Sequence, residues 1–123
     1  MTKIILDTNS LIHSVENKIN FYLILEDKFK LVEFHILKQS LDELAKIDIK
    51  PRIKKLVLEI IKKDTKIIHY KPTISYVDDL IIDFTKENED FVVFTQDKGL
   101  IERLKHENIN FCYISKNKKI NFQ

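Results

Sequence analysis

Two short runs built only from large apolar residues, Ile4-Ile5-Leu6 and Phe91-Val92-Val93-Phe94, constrain what this chain of 123 residues can fold into. Neither has helical spacing, and both are rich in β-branched or aromatic side chains. They read as strands covered on both faces, which is the habit of a parallel sheet sandwiched between helices. The rest of the chain alternates in kind, and the alternation predicts an α/β fold.

Thr8, Asn9 and Ser10 are capping residues, so a helix starts directly after the first strand. Phe21, Leu25 and Lys28-Phe29 continue a second helical stretch, and Leu31, Val32 and Phe34 make a short strand. Leu37, Leu41 and Leu44 recur at i, i+4, i+7 and mark one helix face, with Glu43 at its edge. Pro51 opens another helix, whose stripe is Ile53, Leu56, Val57 and Ile60. Lys66 to His69 is a short strand, and Lys71 to Ser75, with Pro72, is a loop. Val77, Leu80, Ile81 and Phe84 return to helical spacing, with Ile82 facing outward. Asp97 caps a helix carrying Leu100, Ile101 and Leu104, and Ile109 to Ile114 is the last strand. Lys116 to Gln123 reads as a polar, basic tail. The expected architecture is a three-layer α/β/α sandwich with a mainly parallel central sheet, formed as one domain over residues 1–123.

In such sheets ligands bind outside the carboxyl ends of the strands. Asp7 ends the first apolar strand and Asp97 lies just past the second. Glu43 follows on a helix, and Asp78 and Asp79 fall in the first turn of another, where the helix dipole tolerates negative charge. Carboxylates gathered in one place repel one another unless a cation joins them, so the set points to a hard divalent metal. Each acid alone is an ordinary helix cap or a solvated helix residue; the set together is not. Asp78 and Asp79 lie about 100° apart around their helix, so both cannot aim squarely at one ion, and periodicity alone leaves the choice between them open.

The order of these motifs resembles that of the PIN-domain nucleases. The likeness rests on Asp7-Thr8-Asn9 after the first strand, Glu43-Leu44 on a helix, Asp78 opening a later helix, and Thr95-Gln96-Asp97 after a Val-rich strand. It covers nearly the whole chain. Tyr76-Val77-Asp78-Asp79 is similar to the Tyr-Ala-Asp-Asp of small archaeal PIN proteins related to the eukaryotic nuclease of small-subunit ribosomal RNA processing. VapC toxins share the fold and the acids but usually carry a single Asp at that helix start. Gln96 departs from the usual Asn or Val of the subgroup.

The resemblance implies a magnesium- or manganese-dependent endoribonuclease that leaves a 5′-phosphate and a 3′-hydroxyl. It implies Asp7 and Asp97 as direct metal ligands, with Glu43 and Asp78 holding waters or a second ion. Thr95 and Asn9 would support them by hydrogen bonds, and Asp79 would cap the helix or position water. The resemblance also implies a homodimer, and either an antitoxin or a ribosome-assembly partner. A PIN domain kept as an inactive binding scaffold would have lost an acid, and none is missing here.

Other chemistries fit less well. A phosphatase of the haloacid dehalogenase type needs a second Asp where Asn9 stands, and a receiver domain needs an acidic pair after the first strand. His13, His35, His69 and His106 show no metal-ligand spacing, and Gly99, the only glycine, cannot make a phosphate-cradling loop. Cys112 is alone, which excludes an internal disulfide and reads as a small core side chain of a cytoplasmic protein. No apolar run reaches the ~20 residues a membrane span requires.

The net charge of +2 announces no partner, so RNA contact must come from local basic groups. Lys50, Arg52, Lys54, Lys55, Lys62 and Lys63 stand against Glu59 alone in one stretch. Lys98, Arg103 and Lys105 lie on the helix that starts at Asp97, and Lys116, Lys118 and Lys119 in the tail. Basic groups beside an acidic site attract the phosphate backbone without reading bases. Tyr76 is placed to stack on a base or to pack.

Overall fold

The computed structural model describes residues 1–70, 76–117 and 119–123. The expected loop over Lys71 to Ser75 lies outside these residues, as does Lys118. Twelve elements follow one another: β1 (Thr2–Leu6), α1 (Thr8–Glu16), α2 (Phe21–Phe29), β2 (Val32–Leu37), α3 (Lys38–Lys46), α4 (Pro51–Asp64), β3 (Thr65–Ile68), α5 (Val77–Glu87), β4 (Phe91–Phe94), α6 (Lys98–His106), β5 (Phe111–Ile114) and β6 (Ile120–Phe122). The strands form one sheet in the order β3-β2-β1-β4-β5-β6. All neighbours run parallel except β6, which returns antiparallel to β5.

The two apolar runs lie side by side at the centre of this sheet, with Leu6 opposite Phe94 and Ile5 opposite Val93. Side chains alternate across a strand, so each run feeds both faces. Ile4 and Leu6 join Leu11, Phe21, Leu25, Leu44 and Val57 in one core beneath α1 to α4. Ile5 and Val93 join Leu80, Ile81, Leu100 and Leu104 in a second core beneath α5 and α6. The expected three layers are therefore present. No helix among the described residues is long and apolar enough to cross a membrane.

Several boundaries differ from the sequence reading, each for a packing reason. Leu37 is the last residue of β2 and the N-cap of α3, so it fills the α5-side core rather than the helix stripe. On α4 the buried positions are Val57 and Ile61, while Leu56 stays partly exposed. Ile82 faces inward, because α5 is covered over more than one stripe. β5 begins at Phe111: Asn108 turns through a left-handed conformation and Ile109 N bonds back to Leu104 O, so Ile109 closes the end of α6. The supposed polar tail contains β6, with Asn121 opposite Tyr113.

Candidate active site

The chain leaves β1 for β2 on one side and later returns to place β4 on the other. A crevice opens at the carboxyl ends of β1 and β4 for that reason. Asp7 and Thr95 are the first residues beyond the two strands. Asp7 N still donates to Phe94 O, and Thr95 N to Cys112 O, so both side chains leave from backbone pinned by the sheet.

Asp7 is 3% exposed. Its Oδ2 accepts from Thr95 Oγ1 at 2.9 Å and from Ser10 Oγ at 3.2 Å. Its Oδ1 takes no hydrogen bond among the described residues. Burial pushes its pKa up to about 6; the Thr95 and Ser10 hydroxyls pull the other way, and the charges of Asp78 and Asp97 add to the rise. Asp7 occupies the N-cap position of α1 but makes no side-chain capping bond, because Thr95 and Ser10 have claimed its oxygen.

Asp97 divides its carboxylate. Oδ1 caps α6, accepting from Gly99 N at 2.8 Å and Leu100 N at 3.3 Å, which leaves Oδ2 for another partner. A Cβ at Gly99 would approach that capping oxygen to 3.2 Å, so the only glycine keeps the cap uncrowded. Asp97 N also donates to Thr95 Oγ1 at 3.1 Å. One threonine hydroxyl thus ties both strand-end acids together.

Asp78 lies in the first turn of α5, partly buried. Burial, then the charge of Asp97, raise its pKa; Arg103 lowers it and Asp79 raises it again. Glu43 on α3 has its pKa raised by partial desolvation and by Asp78. A bond from Thr8 Oγ1 to Ser40 O ties the start of α1 to α3 one turn before Glu43. Asp78 acts by its charge on Asp7 and Glu43, and Asp97 acts on Asp7 and Asp78, so the four acids are linked electrostatically. Among the described residues none of them forms an ion pair. Asp79 is different: its Oδ1 accepts from Arg103 at 2.5 Å.

Four unpaired carboxylates give the all-oxygen donor set that hard divalent cations take. Among the described residues no three of the His, Cys, Asp and Glu side chains stand close enough to enclose an ion unaided.

Some expected roles fall elsewhere. Asn9 is exposed and its side chain makes no hydrogen bond among the described residues, and the support expected of it comes from Ser10. Ser10 also accepts from Gln96 N at 2.6 Å. It is three residues after Asp7 on the same helix face, and that spacing was the available signal. Gln96, outside the expected site, clamps the backbone of Ile114 through both ends of its amide, bonding β4's exit to β5. Arg103, expected to meet RNA, is engaged by Asp79. Lys98 is exposed at the first turn of α6. Lys54 donates to Ala45 O while Lys55 is exposed, and both lie in the early turns of α4. Tyr76, the N-cap of α5, is 73% exposed.

A model of the PIN-like domain family matches residues 4–117. Ribonuclease VapC4 of Methanocaldococcus jannaschii is 39% identical over 125 residues, covering 96% of this chain and 94% of that protein. The solved structure of the PIN domain endonuclease Utp24 superposes with a TM-score of 0.85 at 23% identity, over 98% of this chain and 90% of that one. At that identity the last likeness speaks for the fold alone.

Proposed function

We propose, from the premise that this chain belongs to the PIN-like domain family, that it is a magnesium- or manganese-dependent endoribonuclease. The observation that supports the reading is the tie of Asp7 and Asp97 to one Thr95 hydroxyl beyond β1 and β4, with Asp78 and Glu43 linked to them by charge and none of the four ion-paired among the described residues. The relative at 39% identity is a ribonuclease, which supports RNA as the substrate.

Asp7, through its free Oδ1, and Asp97, through Oδ2, are the proposed direct ligands, with Glu43 and Asp78 orienting water around the ion. The chemistry that magnesium or manganese supplies when bound is polarisation of a phosphoryl oxygen and acidification of water. The chain's own groups do the positioning. Thr95 and Ser10 hold the Asp7 carboxylate in one rotamer by two hydrogen bonds to a single oxygen. The α6 cap holds Asp97. Gln96 fixes the segment between them to β5, so the distance between the two ligands is set by sheet hydrogen bonds rather than by a mobile loop. Glu43 and Asp78, each with a raised pKa, accept a proton more readily than an ordinary carboxylate.

Two biological settings fit this chemistry. A toxin ribonuclease held by an antitoxin is supported by the VapC4 relative. Ribosomal RNA processing with a ribosome-assembly partner is supported by Tyr76-Val77-Asp78-Asp79. A homodimer and a cytoplasmic location belong to the same reading, the latter supported by the lone, unpaired Cys112.

The test is direct. Purified protein is incubated with labelled single-stranded RNA and magnesium or manganese, and metal binding is followed by calorimetry. Cleavage that stops in EDTA is expected. Undiminished cleavage in EDTA removes the metal from the reading, and neither cleavage nor metal binding leaves an RNA- or protein-binding scaffold.

A further inference from the structure

An open groove of about 780 Å³ runs beside Asp97, on the side where α1 faces the start of α6 and the turn between β5 and β6. One wall is a ladder on α1. Asn9, His13 and Asn17 are spaced four apart and so share one helix face. The other wall carries Lys98 and Lys116. Ile19 and Ile114 give the floor an apolar strip.

We propose that this groove seats the single-stranded RNA next to the cut, with Lys98 and Lys116 holding phosphates and the His13–Asn17 wall meeting ribose or base edges. The inference rests on the nuclease reading for the position of the cut, and it assigns the path of the substrate. Among the described residues neither Lys98 nor Lys116 forms an ion pair, whereas Arg103 is taken by Asp79. The groove's cations are therefore available for phosphate, and the helix's other site-facing cation is not. Four carboxylates repel a polyanion, so the strand needs positive charge close by, and these lysines supply it at the edge of the acidic cluster.

The opposite wall has the chemistry of a nucleoside contact. Asn17 Nδ2 donates to His13 O at 2.8 Å and lies 3.3 Å from His13 Nδ1. With Nδ1 accepting, the ring carries its proton on Nε2 and offers a donor outward. Asn9 and the free Asn17 carbonyl oxygen add both donors and acceptors. Polar groups of this kind facing lysines across an open channel match a sugar–phosphate chain better than an apolar ligand.

The experiment measures binding apart from chemistry. A fluorescent single-stranded RNA of about twelve nucleotides is titrated in EDTA at several salt concentrations, and anisotropy is read. Lys98→Ala/Lys116→Ala should weaken binding ~10-fold at low salt and flatten the log–log salt slope by ~1.4, the share of two single-strand phosphates. Asn17→Ala should weaken binding with no change in slope. A charge-matched control, Lys28→Ala/Lys66→Ala on α2 and β3 and outside the groove lining, should bind as wild type. With magnesium, the groove variant should raise KM and leave kcat within about twofold. Unchanged affinity and slope in the groove variant, which would leave the groove to a protein segment, overturn the proposal. An equal loss in the control overturns it too, because net charge then suffices. Groove-dependent binding by a protein that never cuts RNA would sink the nuclease reading and leave the groove standing.

Discussion

Thr95 Oγ1 donates to Asp7 Oδ2 at 2.9 Å, joining the first residue beyond β4 to the first residue beyond β1. The same oxygen accepts from Asp97 N at 3.1 Å. Thr95→Val keeps the shape but removes the donor and leaves the partly buried Asp97 N–H without its acceptor, a loss of ~1–3 kcal/mol. It also removes a bond that favours charged Asp7, so the Asp7 pKa climbs further. The acid limb of the pH–rate profile should move to higher pH, and Thr95→Ser should restore it. A profile that stays in place in Thr95→Val shows that the hydroxyl does not govern Asp7.

Asp7 carries a pKa raised from 3.8 to about 6, chiefly by burial. A raised carboxylate favours folding while protonated, and that advantage is lost as pH rises from about 4 through about 6. Without metal, its ionisation costs on the order of 3 kcal/mol at neutral pH. In EDTA, Asp7→Asn should therefore be more stable than wild type at pH 7 and indistinguishable from it near pH 3.5. Urea midpoints at the two pH values check this, and a variant that is less stable at both makes Asp7 a structural residue.

Asp97 serves two purposes that different substitutions separate. Asn keeps an oxygen for the α6 cap, so Asp97→Asn should lose cleavage and keep its stability. Ala loses the cap as well and should cost a further ~1 kcal/mol. Thermal or urea unfolding alongside the RNA assay distinguishes the two. Equal stability of the two variants means that the capping bonds to Gly99 and Leu100 contribute nothing.

Asp78 and Asp79 are adjacent but differently occupied, since only Asp79 is paired with Arg103. Asp78→Asn should remove most cleavage and metal affinity. Asp79→Asn should cost far less activity, and at most ~1 kcal/mol of stability, because the ion pair is partly exposed. Arg103→Ala strips away the charge that lowers the Asp78 pKa, so it should shift the acid limb upward in the same assay. A larger activity loss in Asp79→Asn than in Asp78→Asn reverses the assignment.

The α/β alternation, the central strands and the four acids were legible in the sequence because each depends on local pattern. Apolar runs of strand length, helical spacing and capping residues act over a few neighbours. Leu37, Leu56 and Ile82 were misread because their burial is set by the neighbouring layer rather than by their own helix. β6 was missed because a three-residue edge strand in a lysine-rich segment has no pattern of its own and forms only against β5.

The sequence by itself determined that Asp7, Asp78 and Asp97 stand near strand ends or helix starts, where an α/β sheet gathers its chemistry, and that Glu43 lies on a helix. Only the tertiary structure decided who holds whom. Ser10 and Gln96 matter because β1, β4 and β5 lie side by side, bringing residues more than eighty positions apart into hydrogen-bond range. Asp79 and Arg103 pair because α5 and α6 cover the same face of the sheet. Hydrogen bonds and ion pairs act over a few ångströms in space, and chain spacing fixes that distance only within a single turn of helix.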